Sequence, residues 1–297
     1  MDKVYFMMMV GLPCSGKSTI SKELAEKYNA TVFSSDELRI EMFGDVNDQE
    51  HNQELFVELH RRIKDCLNSG KSAIYDACNI NYKRRMAFLA ELKNIACEKI
   101  CIVMATPFAV CKMRNEVRER KVPVNVIMRM YKNFNIPYWY EGWDDIKIEY
   151  GNYEKCYGNP MKFCIDNKGY DQKNSHHTLT LGDHCHQVSM NVGYDMALVY
   201  AGMLHDCGKP VCATHINKKG EYDEDCHYYD HQNIGAYLAL FYDYHVINPL
   251  DVSIVVQWHM QPYFNKEEKT KNKYRQLWGE DLYNKIMKIH AADRAAH

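Results

Sequence analysis

Residues 3–19, KVYFMMMVGLPCSGKST, decide the fold of the first half of the chain. The apolar run 3–10 reads as a buried strand of a parallel sheet and enters a glycine turn that opens a helical pattern from Lys17 to Tyr28. Between them, Gly11 to Thr19 fit G-x-x-x-x-G-K-[ST], in the strand-then-helix context that the pattern requires. Such a loop lets backbone N–H groups from Gly11, Ser15, Gly16, Lys17, Ser18 and Thr19 wrap a phosphate chain. Lys17 neutralises the β/γ charge and Ser18 ligates Mg²⁺. The implied cofactor is ATP or another NTP with Mg²⁺.

Further apolar runs at Ala30–Phe33, Ser72–Tyr75 and Lys99–Ala105 alternate with helical stretches, which predicts an α/β domain: a parallel sheet with flanking helices. At 297 residues, two domains of about 150 residues each are expected. The polar, Gly/Asn/Lys-rich stretch 151–175 marks the boundary, giving domains 1–155 and 176–297 with a linker at 156–175. Beyond it the pattern is helical, which predicts an all-α second domain. The net charge of −2 gives no global pull toward nucleic acid, so any such contact rests on local patches. The 12 cysteines contain no C-x-x-C pair and follow no secretory leader, so reduced thiols, a cytoplasmic location and no membrane association are expected.

Two further features carry chemistry in the first half. Asp36, in SSDELR just past the second strand, is placed to accept the proton of an attacking hydroxyl, as a kinase needs. Arg39, one helical turn on, can hold a substrate phosphate; the bland alternative is an N-capping Asp with an exposed Arg. In 112–132, seven basic residues stand against two acidic ones, and Arg114 and Arg118 fall at i, i+4 on one helix face. Charge runs are usually solvated faces; this one can also lie over a phosphate chain.

In the second half, His184, His205-Asp206, His231, His259 and Asp293 occur in helical segments. Imidazole and carboxylate ligands suit Mn, Fe, Ni or Co, and such ions activate water for phosphoester hydrolysis. His177 competes with His184 for the first position.

The set GLPCSGKST, SSDELR, YDACNINYKRR, RNEVRERKVPVNVIMRMYKNF and PYWYEGWD resembles the kinase domain of phage-type polynucleotide 5′-kinases over residues 1–150. The resemblance implies Asp36 as general base, Arg39 on the phosphate next to the acceptor end, and Arg118 with Arg114 in a lid over ATP. Asp76 stands where that family has an acidic residue and is assigned to the substrate side. The second half resembles the HD phosphohydrolase superfamily over roughly 175–297. That implies one metal on His184, His205, Asp206 and Asp293, and a second on His231 and His259 with Asp206 bridging. Together these imply an end-healing enzyme of the kind bacteria build from HD and polynucleotide kinase domains. It would phosphorylate 5′-OH ends of RNA or DNA and remove a 3′-phosphate, 2′-phosphate or 2′,3′-cyclic phosphate ahead of a ligase. The alternatives are a small-molecule or nucleoside kinase fused to a nucleotide phosphohydrolase, and a regulatory nucleotide-binding module without turnover.

Overall fold

The computed structural model describes residues 3–174, 178–265 and 267–296. The chain divides into two compact units, residues 1–130 with 137–151, and residues 131–136 with 152–297.

The first unit runs β1 (Tyr5–Val10), α1 (Lys17–Tyr28), β2 (Ala30–Ser34), α2 (Ser35–Phe43), α3 (Asn52–Asn68), β3 (Ser72–Asp76), α4 (Tyr82–Glu91), β4 (Glu98–Met104), α5 (Phe108–Val117), α6 (Val124–Lys132), a 3-10 turn (Trp139–Glu141) and β5 (Asp145–Glu149). Its five strands pair in parallel in the order β2-β3-β1-β4-β5. Met7, Met9, Ile74, Ile100, Ile102 and Met104 form one buried face, against which Ile20 and Leu24 of α1 pack. On the other face Phe6 meets Phe88 of α4 edge-on at 5.5 Å. With both faces covered, the central strands have no use for alternation, which is why β1 reads as an unbroken apolar run. The edge strand β5 was not legible: Asp145, Lys147 and Glu149 break its apolar pattern, as suits a strand paired on one side only.

Beneath α4 lies a buried ion pair. Arg85 donates to Glu141 through Nε (2.7 Å) and Nη2 (2.6 Å), and Trp143 Nε1 donates to the same carboxylate at 3.0 Å. Both partners have side chains at most 1% exposed. Removing one charge strands the other in the interior, so Glu141→Ala is expected to destabilise the first unit by about 3–5 kcal/mol. The measurement is the urea midpoint of that unit's unfolding; a midpoint within error of the parent would remove the pair from the stability argument.

The second unit contains α7 (Met161–Asp166), α8 (Leu181–Asn191), α9 (Met196–Leu204), α10 (Lys209–Cys212), β6 (Thr214–Ile216), β7 (Tyr222–His227), α11 (His231–Ala239), α12 (Pro249–Trp258), α13 (Gln261–Phe264) and α14 (Glu268–Arg294), the last broken at Gly279. Two features differ from the sequence expectation. The stretch read as a linker at 156–175 contains α7, whose Phe163 and Cys164 are buried. A polar, glycine-rich composition hid the two apolar residues that dock it. The unit is also not all-α, because β6 and β7 pair antiparallel across a turn with Gly220 at φ +84°. In β7, YDEDCH, the exposed hairpin carries charge where a core strand would carry apolar residues. The end of α6 and the following segment, 131–136, join this unit: Tyr131 and Phe134 pack edge-on against Tyr237, and Asn233 donates to the Lys132 carbonyl at 2.8 Å.

Glycines set the close approaches in this unit. A Cβ on Gly182 would lie 2.1 Å from the Cys164 carbonyl oxygen, and one on Gly202 would lie 2.7 Å from Ser189 Cα. No side chain fits there, so α7, α8 and α9 cross with their backbones nearly touching. Among the described residues no helix is long and apolar enough to cross a membrane.

Candidate active sites, one in each unit

In the first unit the loop after β1 wraps as its sequence requires. Gly16 sits at φ +99°, a conformation that glycine adopts without strain. A Cβ on Gly11 would come within 2.6 Å of Ser15 Oγ and 2.8 Å of Met104 Cβ. Gly11 N–H donates to the Cys78 carbonyl at 3.0 Å, which ties the loop to the chain leaving β3. Lys17 is buried, with Nζ donating to the carbonyls of Leu12 (2.8 Å) and Gly11 (3.2 Å). Thr19 N–H donates to the Gly16 carbonyl at 3.1 Å and starts α1.

Asp76, the last residue of β3, is buried beside the Ser18 side chain. Burial raises its carboxyl pKa, and the Ser18 hydroxyl and the Lys17 charge oppose that. A loop serine paired with a carboxylate at the end of a neighbouring strand is the donor set that holds Mg²⁺ in P-loop enzymes. That chemistry fits Asp76 to the metal side of the site as well as to the substrate side.

Asp36 lies in the first turn of α2, whose N-cap is Ser34, accepting from Glu37 N–H at 3.3 Å. Asp36 is therefore not the cap, and its carboxylate is free to face outward, with a side chain 52% exposed. Arg120 Nη1 reaches Asp36 Oδ2 at 2.9 Å, and Arg39 Nη1 reaches Oδ1 at 3.5 Å. Arg39 is itself buried and held by Asn52 Oδ1 at 2.6 Å. Nothing in the basic run marks Arg120 apart from its neighbours, because only the fold shows which of its residues meets α2.

The helical i, i+4 pairing of Arg114 and Arg118 is corrected. Helix α5 ends at Val117, and Arg118 is extended at φ −84°, ψ 153°. Asn115 causes the break: its amide bonds both the carbonyl and the N–H of Val122 at 2.8 Å, folding 116–121 into a loop ahead of Pro123. Both arginines still meet at the phosphate loop, Arg114 Nη1 at 3.4 Å from the Cys14 carbonyl and Arg118 Nη1 at 3.4 Å from Cys14 Sγ.

In the second unit the candidate ligands converge. His184 on α8, His205 and Asp206 after α9, His231 at the start of α11, His259 after α12 and Asp293 on α14 are all buried. His177 lies outside the described residues. His184 Nε2 and His205 Nε2 stand 3.2 Å apart, and His231 Nε2 and His259 Nε2 3.3 Å apart. Asp206 spans the two pairs. Its Oδ2 lies 3.2 Å from His205 and 3.6 Å from His184, and its Oδ1 lies 3.2 Å from His231 and 3.8 Å from His259. Asp293 Oδ1 adds to the first pair only, at 3.1 Å from His184.

The second set of contacts fixes which nitrogen is offered. The Nδ1 atoms face backbone carbonyls: Ala296 for His184 (3.4 Å), Gly202 for His205 (2.9 Å), Tyr228 for His231 (2.7 Å) and Val256 for His259 (2.7 Å). A carbonyl only accepts, so each ring when neutral carries its hydrogen on Nδ1 and presents the Nε2 lone pair inward. Two lone pairs facing each other at about 3 Å repel unless a cation or proton lies between them, and this happens twice. The residues thus form two groups that fit metal ions, His184/His205/Asp206 and Asp206/His231/His259. Burial, helped by the charges of His205 and His231, holds His259 neutral, with its pKa pushed down to about 3. Burial of Asp206 favours its neutral form, but the charges of His205 and Lys209 win and hold the carboxyl well below its usual range.

Three neighbours were not foreseen. Buried Lys209 pairs with Asp206 Oδ2 at 2.7 Å and with Gln172 Oε1 at 2.7 Å. Tyr263 donates to Asp293 Oδ2 at 2.9 Å. Lys209 stands three residues after Asp206 in HDCGK, which is the signal that could have found it. Gly208, between them, admits no side chain: a Cβ would sit 2.1 Å from the His231 carbonyl and 2.8 Å from Gly235 N. Gly208→Ala should therefore push α11 and His231 away from Asp206, with metal content falling by about one ion per chain or the unit's melting point dropping. Full metal content at an unchanged melting point would show that the backbone absorbs the methyl group.

Residues 6–137 match the family described as an AAA domain. The chain is 32% identical over 154 residues to the L-seryl-tRNA(Sec) kinase of Methanococcus maripaludis, a match covering 48% of this chain and 58% of that protein's length. Among solved structures it is similar to a sugar kinase from Janibacter sp. HTCC2649 (14% identity, 49% of this chain and 85% of that one, TM-score 0.37). It is also similar to a gluconokinase from Sinorhizobium meliloti 1021 (13% identity, 48% and 81%, TM-score 0.36). The first unit is a P-loop domain homologous to a kinase, a type that works with ATP and Mg²⁺.

Proposed function

We propose that the chain is a bifunctional nucleic-acid end-processing enzyme, phosphorylating 5′-OH ends in its first unit and hydrolysing phosphate from 3′ or 2′ ends in its second. The observation that carries the kinase half is the Asp36 carboxylate beside the two guanidinium groups of Arg39 and Arg120. An acceptor with a hydroxyl for the base and a phosphate a few ångströms away for the arginines fits this group, and the 5′ end of a polynucleotide has both. Asp36 takes the proton of the 5′ hydroxyl as its oxygen attacks the γ-phosphorus and ADP leaves. Lys17, Arg114 and Arg118 meet the charge spread over the transferred phosphoryl oxygens. Ser18 and Asp76 would hold the Mg²⁺ that accompanies ATP.

For the second unit the reading is an HD-type phosphohydrolase. His184, His205, Asp206 and Asp293 would hold one divalent cation and His231, His259 and Asp206 another. Such ions supply Lewis acidity and a water of lowered pKa. Lys209 fixes the Asp206 carboxylate in its spanning orientation, and Tyr263 does the same for Asp293. A reducing cytoplasmic setting and a ligase downstream complete the proposal.

A second acceptor reading is favoured by the named relative: the hydroxyl of an aminoacyl group carried on tRNA, in place of a 5′ end. One experiment separates them. With γ-labelled ATP, label should enter a 5′-OH oligonucleotide far faster than it enters seryl-tRNA or a free nucleoside; preference for either of the latter would overturn the 5′-end reading. In parallel, a 3′-phosphorylated oligonucleotide with Mn²⁺ should release inorganic phosphate, and none should form if the second unit is not a phosphohydrolase.

A further inference from the structure

We propose that the aromatic and basic side chains around the start of α4 and the 3-10 turn are a platform for the single strand that trails behind the phosphorylated end. The inference rests on the polynucleotide reading of the kinase site and extends it to a surface outside the reacting groups.

The platform starts where the chain leaves β3. Past Asp76, the Cys78 carbonyl accepts from Gly11 N–H and Asn79 Nδ2 donates to the Met9 carbonyl at 2.9 Å, so this segment is fixed beside the phosphate loop. Asn81 then caps α4, its Oδ1 accepting from Arg84 N–H at 3.2 Å. Tyr82, Lys83 and Arg84 form the first turn, with Lys83 and Arg84 exposed. Opposite them stand Tyr138, Trp139 and Tyr140. Tyr82 and Tyr140 lie with centroids 6.5 Å apart at 81°, Tyr138 and Tyr140 6.0 Å apart at 51°, and Lys83 Nζ is 5.9 Å from the Tyr82 ring. Trp139 is 41% exposed.

Two observations give this surface its occupant. The first is rigidity. The buried Arg85–Glu141 pair joins the first turn of α4 to the 3-10 turn, and Arg85 Nη1 also holds the Asn79 carbonyl at 2.9 Å. The rings are thus held in place from below, and binding orders few side chains. The second is charge. Glu141 is engaged by Arg85, and among the described residues neither Lys83 nor Arg84 forms an ion pair. One exposed ring, Trp139, and three half-buried ones beside exposed cations suit a ligand that alternates flat bases with negative phosphates, which is a single-stranded polynucleotide.

The test uses the full chain, a 5′-OH 12-nucleotide single-stranded RNA and, as minimal acceptor, a nucleoside 3′-monophosphate. Trp139→Ala and Tyr82→Ala should each raise the KM and the anisotropy-derived Kd for the 12-mer about tenfold or more. KM for the minimal acceptor and kcat should be unchanged, and Trp139→Phe should restore binding. The Lys83→Ala/Arg84→Ala double variant should flatten the slope of log Kd against log salt by about 1.4, two phosphates' worth for a single strand. If the 12-mer is phosphorylated with unchanged KM in both aromatic variants, the platform is overturned and the 5′-end reading stands. If no oligonucleotide is phosphorylated but the variants still lose 12-mer binding, the platform stands and the 5′-end reading falls. Absence of both binding and phosphorylation overturns both. Equal losses on the minimal acceptor would show a damaged active site and overturn the platform as a separate surface.

Discussion

Asp206→Asn should empty both metal positions at once and abolish hydrolysis of a 3′-phosphate end, while 5′ phosphorylation continues at the parent rate. Asp206 is the residue that offers one oxygen to His184 and His205 and the other to His231 and His259. An amide keeps the shape but removes the charge that two cations would share, and it turns one oxygen position into an N–H donor facing lone pairs. Loss of an outer-shell partner already costs about 10–100-fold in metal affinity or activity, so loss of a shared ligand should exceed that. Asp293→Asn should be milder, since of the four histidines Asp293 pairs with His184 and His205. Elemental analysis gives the readout independently of activity, and a melting curve checks that the variant is folded. Parent metal content in folded Asp206→Asn would remove Asp206 from the bridging position, and the phosphohydrolase proposal with it.

What the sequence disclosed and what it hid follow from the range of the forces involved. The phosphate loop was legible because its demands are local: Gly11 and Gly16 answer to close approach and positive φ within a few residues. The ordered histidines were legible as a set because each sits at a helix or its end, and the apolar helices around them leave few other uses for buried imidazole. Arg120 was hidden inside a basic run where only tertiary folding decides which guanidinium meets Asp36. Periodicity likewise carried Arg118 into a helix that the Asn115–Val122 hydrogen bonds end one residue earlier. Strand β5 and helix α7 were missed for a shared reason: each is short and docks through one or two apolar residues, too few to set a pattern.

Asp36→Asn should lower 5′ phosphorylation about 100- to 10,000-fold, the range spanned by general-base catalysis, while the affinity for ATP stays near the parent value. The two halves of this expectation come from different parts of the site. Asp36 stands in α2 after β2, bonded to Arg39 and Arg120, while the proposed nucleotide side is the loop after β1 with Lys17, and Arg114 and Arg118 beside Cys14. Asparagine keeps an oxygen for Arg120 but has no basicity to take up the hydroxyl proton. Lys17→Ala should do the reverse, weakening ATP binding because it removes the buried ammonium anchored on the Leu12 and Gly11 carbonyls. Asp36→Asn would then read as a kcat effect at saturating acceptor, and Lys17→Ala as a loss of both ATP affinity and turnover. Isothermal titration with a non-hydrolysable ATP analogue, run beside steady-state kinetics, separates the two. If Asp36→Asn keeps more than about a tenth of its turnover, the base lies elsewhere, and the exposed carboxylate serves only to position Arg39 and Arg120 on the acceptor phosphate.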